Sequence, residues 1–262
     1  MNCLDKYRSK LIGQLNRDLR VIRISAEEEA VHDFRVGIKR LTALYYFLNE
    51  VNPGLKTRKL IKPYRSLARS VGAIRDGHIA VHLIQELDEI SLVDKKNLIS
   101  ALRAKTRNDY RLVKRLLQTD AHTQVRVPTI RSMAISERAI LREKPVILKV
   151  LLSQIMSTGP RMTADQWHKK RILLKRYHHK LDAFQFCPGH TSDESELKQI
   201  RILEQLLGDW HDRIITAEIL QILKGVETEA DRAITVMRKQ DKLLLGSARI
   251  YLNKFKKWHQ DS

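Results

Sequence analysis

The stretch AVHDFRVGIKRLTALYYFL, residues 30–48, decides the fold. Val31, Phe34, Ile38, Leu41, Tyr45 and Leu48 recur at steps of three and four, so they share one stripe of an α-helix. A half-buried strand would alternate with period two, and this segment does not. The run stops at Asn52-Pro53-Gly54, a triplet that ends one helix and opens the next element. On the same helix His32, Arg35 and Lys39 fall within an arc of roughly 60°, about 120° around the axis from the apolar stripe. One face is built to pack and a neighbouring face carries cationic groups.

The same periodicity extends outward over residues 3–25, 55–71, 76–90, 95–118, 134–157, 164–186, 192–207, 211–239 and 241–258. Thr119 to Pro128 reads as a polar connection, and further breaks are expected at Ser157-Thr158-Gly159-Pro160 and Cys187-Pro188-Gly189. No segment sustains strand alternation, so the expected class is all-α with no sheet. Only 10 Gly and 6 Pro occur in 262 residues, which excludes collagenous and turn-dense all-β chains. With 43% hydrophobic residues, the chain is not a disordered basic tail either. Cys3 and Cys187 offer no disulfide framework and read as two free thiols of a reducing compartment, Cys3 in a mobile terminus. No signal-peptide core and no run of 18 apolar residues is present, so the expectation is a soluble, cytoplasmic protein with no membrane partner.

An internal repeat is visible. His32, Arg35, Lys39 and Arg40 spell HxxRxxxKR; His168, Arg171, Lys175 and Arg176 spell it again 136 residues later. At the same offset Gly72 and Asp76 align with Gly208 and Asp212, and Lys62 and Arg65 with Lys198 and Arg201. The reading is one domain over residues 1–262, built of a first repeat half, 1–126, and a second, 127–262. The chain holds 49 Lys+Arg against 30 Asp+Glu, a net charge of +19. The first half has 25 against 14 and the second 24 against 16, so each is basic by itself.

The basic residues fall in rows. Arg58, Lys62, Arg65 and Arg69 form one at i, i+4, i+7, i+11; Arg103, Arg107, Arg111 and Lys114 form another. A solvated helix face usually mixes Glu with Lys, gaining a few tenths of a kcal/mol per i,i+4 pair. Rows of like charge forgo that gain and repel, unless an anion neutralises them. Arg presents a planar fork to phosphate and Lys a flexible point charge. Rows at helical pitch suit a long anion better than one phosphate, and neither GxxxxGKS/T nor GxGxxG is present.

The paired HxxRxxxKR helices, each followed about 40 residues on by a Gly-x-x-x-Asp turn, resemble the CHAD family, the conserved-histidine α-helical domain. The resemblance covers nearly the whole chain. It implies two pseudo-symmetric helical-bundle halves around a basic central groove or channel, binding inorganic polyphosphate without catalysis. The ligand residues it implies are His32, Arg35, Lys39, Arg40, Lys62 and Arg65, and then His168, Arg171, Lys175, Arg176, Lys198 and Arg201. Arg69, Arg107, Arg111 and Lys114 join them from the basic rows. It also suggests association with polyphosphate granules. The second half departs from the first where Arg69 has Gln205 as counterpart, Arg58 has Glu194, Arg75 has His211, and core-stripe Phe34 has Lys170. Asp76 and Asp212 would repel a polyanion directly. They are read as orienting or pairing with an arginine of a neighbouring helix, with an N-terminal helix cap as the alternative and metal ligation the remainder.

Other signals are weaker. His78 and His82 have zinc-ligand spacing but lack the glutamate and a third ligand, so no metal or cofactor is expected. His178-His179 reads as surface or groove lining. His32-Asp33 matches the short dipeptide of HD-type phosphohydrolases, but its counterpart is His168-Lys169. No nucleophile–base arrangement stands out. If His32 and His168 protonate on binding, affinity rises as pH falls toward 6. A nucleic-acid-binding protein is the secondary reading, and the aromatics do not interleave with the basic rows as stacking platforms would. A metal-dependent phosphohydrolase is the third, short of clustered acidic ligands.

Overall fold

The computed structural model describes residues 3–118, 124–157, 162–187 and 194–261. Among them are eight α-helices and no strand: α1 (Cys3–Ile24), α2 (Glu28–Val51), α3 (Thr57–Glu86), α4 (Leu92–Leu117), α5 (Glu137–Met156), α6 (Ala164–Phe184), α7 (Glu194–Gln221) and α8 (Glu227–Asp261). A short 3₁₀ turn at Arg131–Met133 precedes α5. The all-α expectation holds. Helices α5 to α8 begin 134–137 residues after α1 to α4, so the repeat seen in the motifs extends to the order of helices. The expected breaks at 158–160 and 188–189 lie outside the described residues, as does the first half of the 119–128 connection.

Helix continuity corrects the sequence reading. Breaks were expected around Gly72–Asp76 and near Gly208, yet α3 and α7 run uninterrupted through both. One interior glycine costs a helix about 1 kcal/mol, which the packing of a long helix readily offsets. Asp76 and Asp212 therefore sit in helix interiors, where no N–H groups are left to cap, and the capping alternative falls away. The chain does turn at 222–226, where Gly225 has φ +78°, so α8 starts at Glu227 as one long helix.

The helices gather into two compact units, each drawing on both sequence halves. Residues 1–69 and 116–201 form one, residues 70–115 and 202–262 the other.

In the first unit, α1 buries Leu4, Leu11, Leu15, Leu19 and Ile22 against α2. The helices approach closely because position 37 is glycine: a Cβ there would stand 2.7 Å from Leu15. Phe34, Tyr45 and Phe47 of α2 and Trp167 and Phe184 of α6 are fully buried, each contributing about 1.5–3 kcal/mol or more. Phe47 and Phe184 meet edge to face at 4.9 Å. The segment leading to α5 is tied down by polar contacts. Asn16 bonds both backbone groups of Val125, Tyr64 Oη both of Arg126, and buried Asp5 accepts from the N–H groups of Ile130 (2.8 Å) and Arg131 (3.2 Å).

Cys3 and Cys187 are joined by a disulfide, with Cα atoms 4.9 Å apart. This overturns the free-thiol reading and the mobile placement of Cys3. Both residues are buried, Cys3 in the first turn of α1 and Cys187 just beyond α6. The pairing also removes the cysteine argument for a reducing compartment. No helix among the described residues is long and apolar enough to cross a membrane.

The second unit has its own core, including Ala80, Ile84, Leu98, Leu102, Leu220, Ala233 and Met237. Gly77 of α3 abuts Thr106 of α4, where a Cβ would lie 2.1 Å from the hydroxyl oxygen. Arg232 of α8 pairs with Asp94 of α4 at 2.9 Å.

Candidate anion-binding site

The first unit holds a cavity of about 690 Å³ lined by one face each of α2, α3 and α6. From α2 come Arg35, Ile38, Lys39, Thr42, Ala43 and Tyr46, a ladder of three- and four-residue steps that follows from helical pitch. From α3 come Arg58, Lys62, Arg65, Ala68 and Arg69. From α6 come Arg171, Ile172, Lys175, Arg176 and His179. Nine of the lining side chains are cationic and none is a carboxylate. Like charges a few ångströms apart cost each other about 1 kcal/mol in bulk water and about 4 at an effective dielectric constant of 20. A polyanion in the cavity would reverse that repulsion.

Burial and the surrounding charges of His178, Arg40, Lys175 and Lys39 push the His179 imidazole down to about 3. It is neutral at physiological pH, and its Nδ1 is buried without a hydrogen-bond partner. The cavity's fixed charge comes from Arg and Lys alone.

Eight of the sixteen sequence-predicted binding residues meet here: Arg35, Lys39, Lys62, Arg65, Arg69, Arg171, Lys175 and Arg176. The other eight do not line the cavity. His32 is exposed near the start of α2, and His168 is half-buried near the start of α6. Arg40 faces Asp182 at 3.3 Å, and the same carboxylate lies 3.6 Å from His178 Nε2. Lys198 and Arg201 are exposed on α7. Arg107, Arg111 and Lys114 are exposed on α4 and, like Asp76 and Asp212, belong to the second unit.

Two buried lysines on α6 have structural work. Lys170, the counterpart of core residue Phe34, donates from Nζ to the carbonyls of Gln154 and Ser157 and so satisfies the end of α5. Lys180 pairs with Glu50 over the Phe47 ring. Sequence reasoning passed over Tyr46 and Thr42, and placed Arg58 in a basic row without counting it among the ligand residues. The signal was available: Tyr46 lies eleven residues after Arg35, on the face that carries Lys39. His179, read from the sequence as surface or groove lining, does line the cavity. Among the described residues no three His, Cys, Asp or Glu side chains gather as a metal site.

No curated protein matches the sequence. Among solved structures, the crystal structure of the CHAD domain from the plant Ricinus communis is similar with a TM-score of 0.72 at 19% identity, over 96% of this chain and 90% of that one. PptA from Streptomyces chartreusis is similar with a TM-score of 0.68 at 13% identity, over 97% of this chain and 98% of that one. At such identities the likeness is one of fold. The sequence itself matches the CHAD domain family model over residues 6–221, and the chain belongs to that family.

Proposed function

We propose that the protein binds inorganic polyphosphate, without turning it over, in the cavity of its first unit. The observation that carries this is the convergence of nine Arg and Lys side chains from three helices with no carboxylate among them. Membership of the CHAD family points the same way. The basic row of α3, from Arg58 to Arg69, spans about 16 Å at 1.5 Å per residue, more than a single phosphate can use. The arrangement favours an inorganic chain over nucleic acid, because the one Phe, Tyr or Trp ring in the cavity, Tyr46, is already engaged by guanidinium groups.

The test is equilibrium binding at fixed ionic strength of long-chain polyphosphate, tripolyphosphate and a single-stranded oligonucleotide of matched charge. Long polyphosphate should bind tightest and displace the oligonucleotide. Tighter binding of the oligonucleotide would favour a nucleic-acid-binding protein instead. Release of orthophosphate with Mg²⁺ or Mn²⁺ would make the protein a phosphohydrolase.

A further inference from the structure

Tyr46 projects from α2 into the cavity wall opposite the arginine row of α3. Arg65 Nη1 donates to its hydroxyl oxygen at 2.6 Å. The guanidinium carbons of Arg65 and Arg58 lie 5.8 and 5.9 Å from its ring centroid. Arg58 and Arg65 are two helical turns apart, about 10.5 Å along the axis. Both side chains are exposed, long and of like charge, so repulsion and rotamer entropy would splay them. One ring holds both, because its negative face attracts guanidinium groups and its oxygen accepts a charge-assisted hydrogen bond. Tyr46 is the one Phe, Tyr or Trp among the described residues that line this cavity. The equivalent position in the second repeat is Asp182, a carboxylate that neutralises Arg40. The same helix position thus gathers arginines uncompensated in one repeat and cancels one in the other.

We propose that Tyr46 is a positioning residue of the anion site, gathering Arg58 and Arg65 so that both guanidinium groups meet the bound phosphate chain together. The inference rests on the reading of the cavity as a polyphosphate site. Its physical effect is to order two mobile side chains before the ligand arrives, sparing binding the loss of their rotamer freedom.

The experiment is a double-mutant cycle on the full chain, with polyphosphate affinity read at fixed salt. Tyr46→Leu should weaken binding about tenfold, the loss expected when two arginines must be ordered by the ligand. Tyr46→Phe keeps the ring but loses the hydroxyl that accepts from Arg65, so its affinity should fall between those of wild type and Tyr46→Leu, about threefold below wild type. In the Arg58→Ala/Arg65→Ala background, Tyr46→Leu should change nothing further, because the groups it positions are gone. If Tyr46→Leu does not fold, as judged by circular dichroism, Tyr46→Gln takes its place in the cycle. Unchanged affinity in Tyr46→Leu, or the same loss in the arginine-free background, overturns the proposal. If Arg58→Ala/Arg65→Ala itself leaves polyphosphate binding intact, the cavity reading fails instead.

Discussion

Replacing Lys62 and Arg69 by alanine removes two of the nine cations that line the cavity while leaving its apolar packing alone, since both side chains are exposed on α3. Binding a flexible polyanion releases about 0.7 counterion per neutralised phosphate, taking single-stranded nucleic acid as the analogue. Nine engaged cations give a slope of log affinity against log salt near −6, and seven give about −5. Between about 50 and 200 mM salt the wild type should lose roughly four decades of affinity and the variant roughly three. Fluorescence anisotropy of end-labelled long-chain polyphosphate across a salt series measures both slopes. Arg107→Ala/Arg111→Ala removes the same charge from α4, in the second unit, and should leave the slope at the wild-type value. A slope unaltered by the Lys62/Arg69 pair, or lowered equally by the α4 pair, would refute the assignment of binding to the cavity. Circular dichroism should show both variants fully helical.

Asp182→Asn frees Arg40 and His178 from their shared carboxylate, and polyphosphate affinity should rise about two- to fivefold, as expected for removing one competing charge near the ligand; an unchanged affinity would mean that Arg40 stays out of reach. Cys187→Ser opens a link between residues 184 positions apart, and the chain-entropy relation gives up to about 5 kcal/mol of lost stability, measured by guanidinium denaturation against the oxidised wild type. An unchanged midpoint would mean that the bond does not form. For His179 the imidazole titrates at about 3 when folded against 6.5 ordinarily, so the unfolded chain binds the extra proton and stability falls as pH drops through 6.5 toward 3. Its share of the loss between pH 7 and pH 5 is roughly 2 kcal/mol. Urea titrations of wild type and His179→Gln at both pH values should differ by that amount, and parallel losses in the two proteins would show that His179 is not buried neutral.

Local pattern was enough for much of the fold. The stripe from Val31 to Leu48 is α2 with its core face, and Asn52-Pro53-Gly54 lies just past its end. The repeated HxxRxxxKR and its offset foretold that α6 would answer α2. The misreadings have local causes of their own. Gly72 and Gly208 looked like breakers because glycine lowers helix propensity, but α3 and α7 are long enough, and packed enough, to absorb it. Cys3 and Cys187 looked unrelated because 184 residues separate them, and only the packing of α1 beside α6 makes them neighbours.

The candidate site divides in the same way. Helical spacing alone placed Arg35 with Lys39, Lys62 with Arg65 and Arg69, and Arg171 with Lys175, because a residue's face on its own helix is a property of pitch. Which of those faces converge is a property of helix packing. That packing brought the rows of α2, α3 and α6 around one cavity, turned Arg40 onto Asp182, sent Lys170 to the end of α5 and set Tyr46 against two arginines. The sequence by itself determined that cationic rows exist and on which helices. Only the tertiary structure decided which of them share a ligand, because the partners that gather or cancel a charge arrive from helices far along the chain.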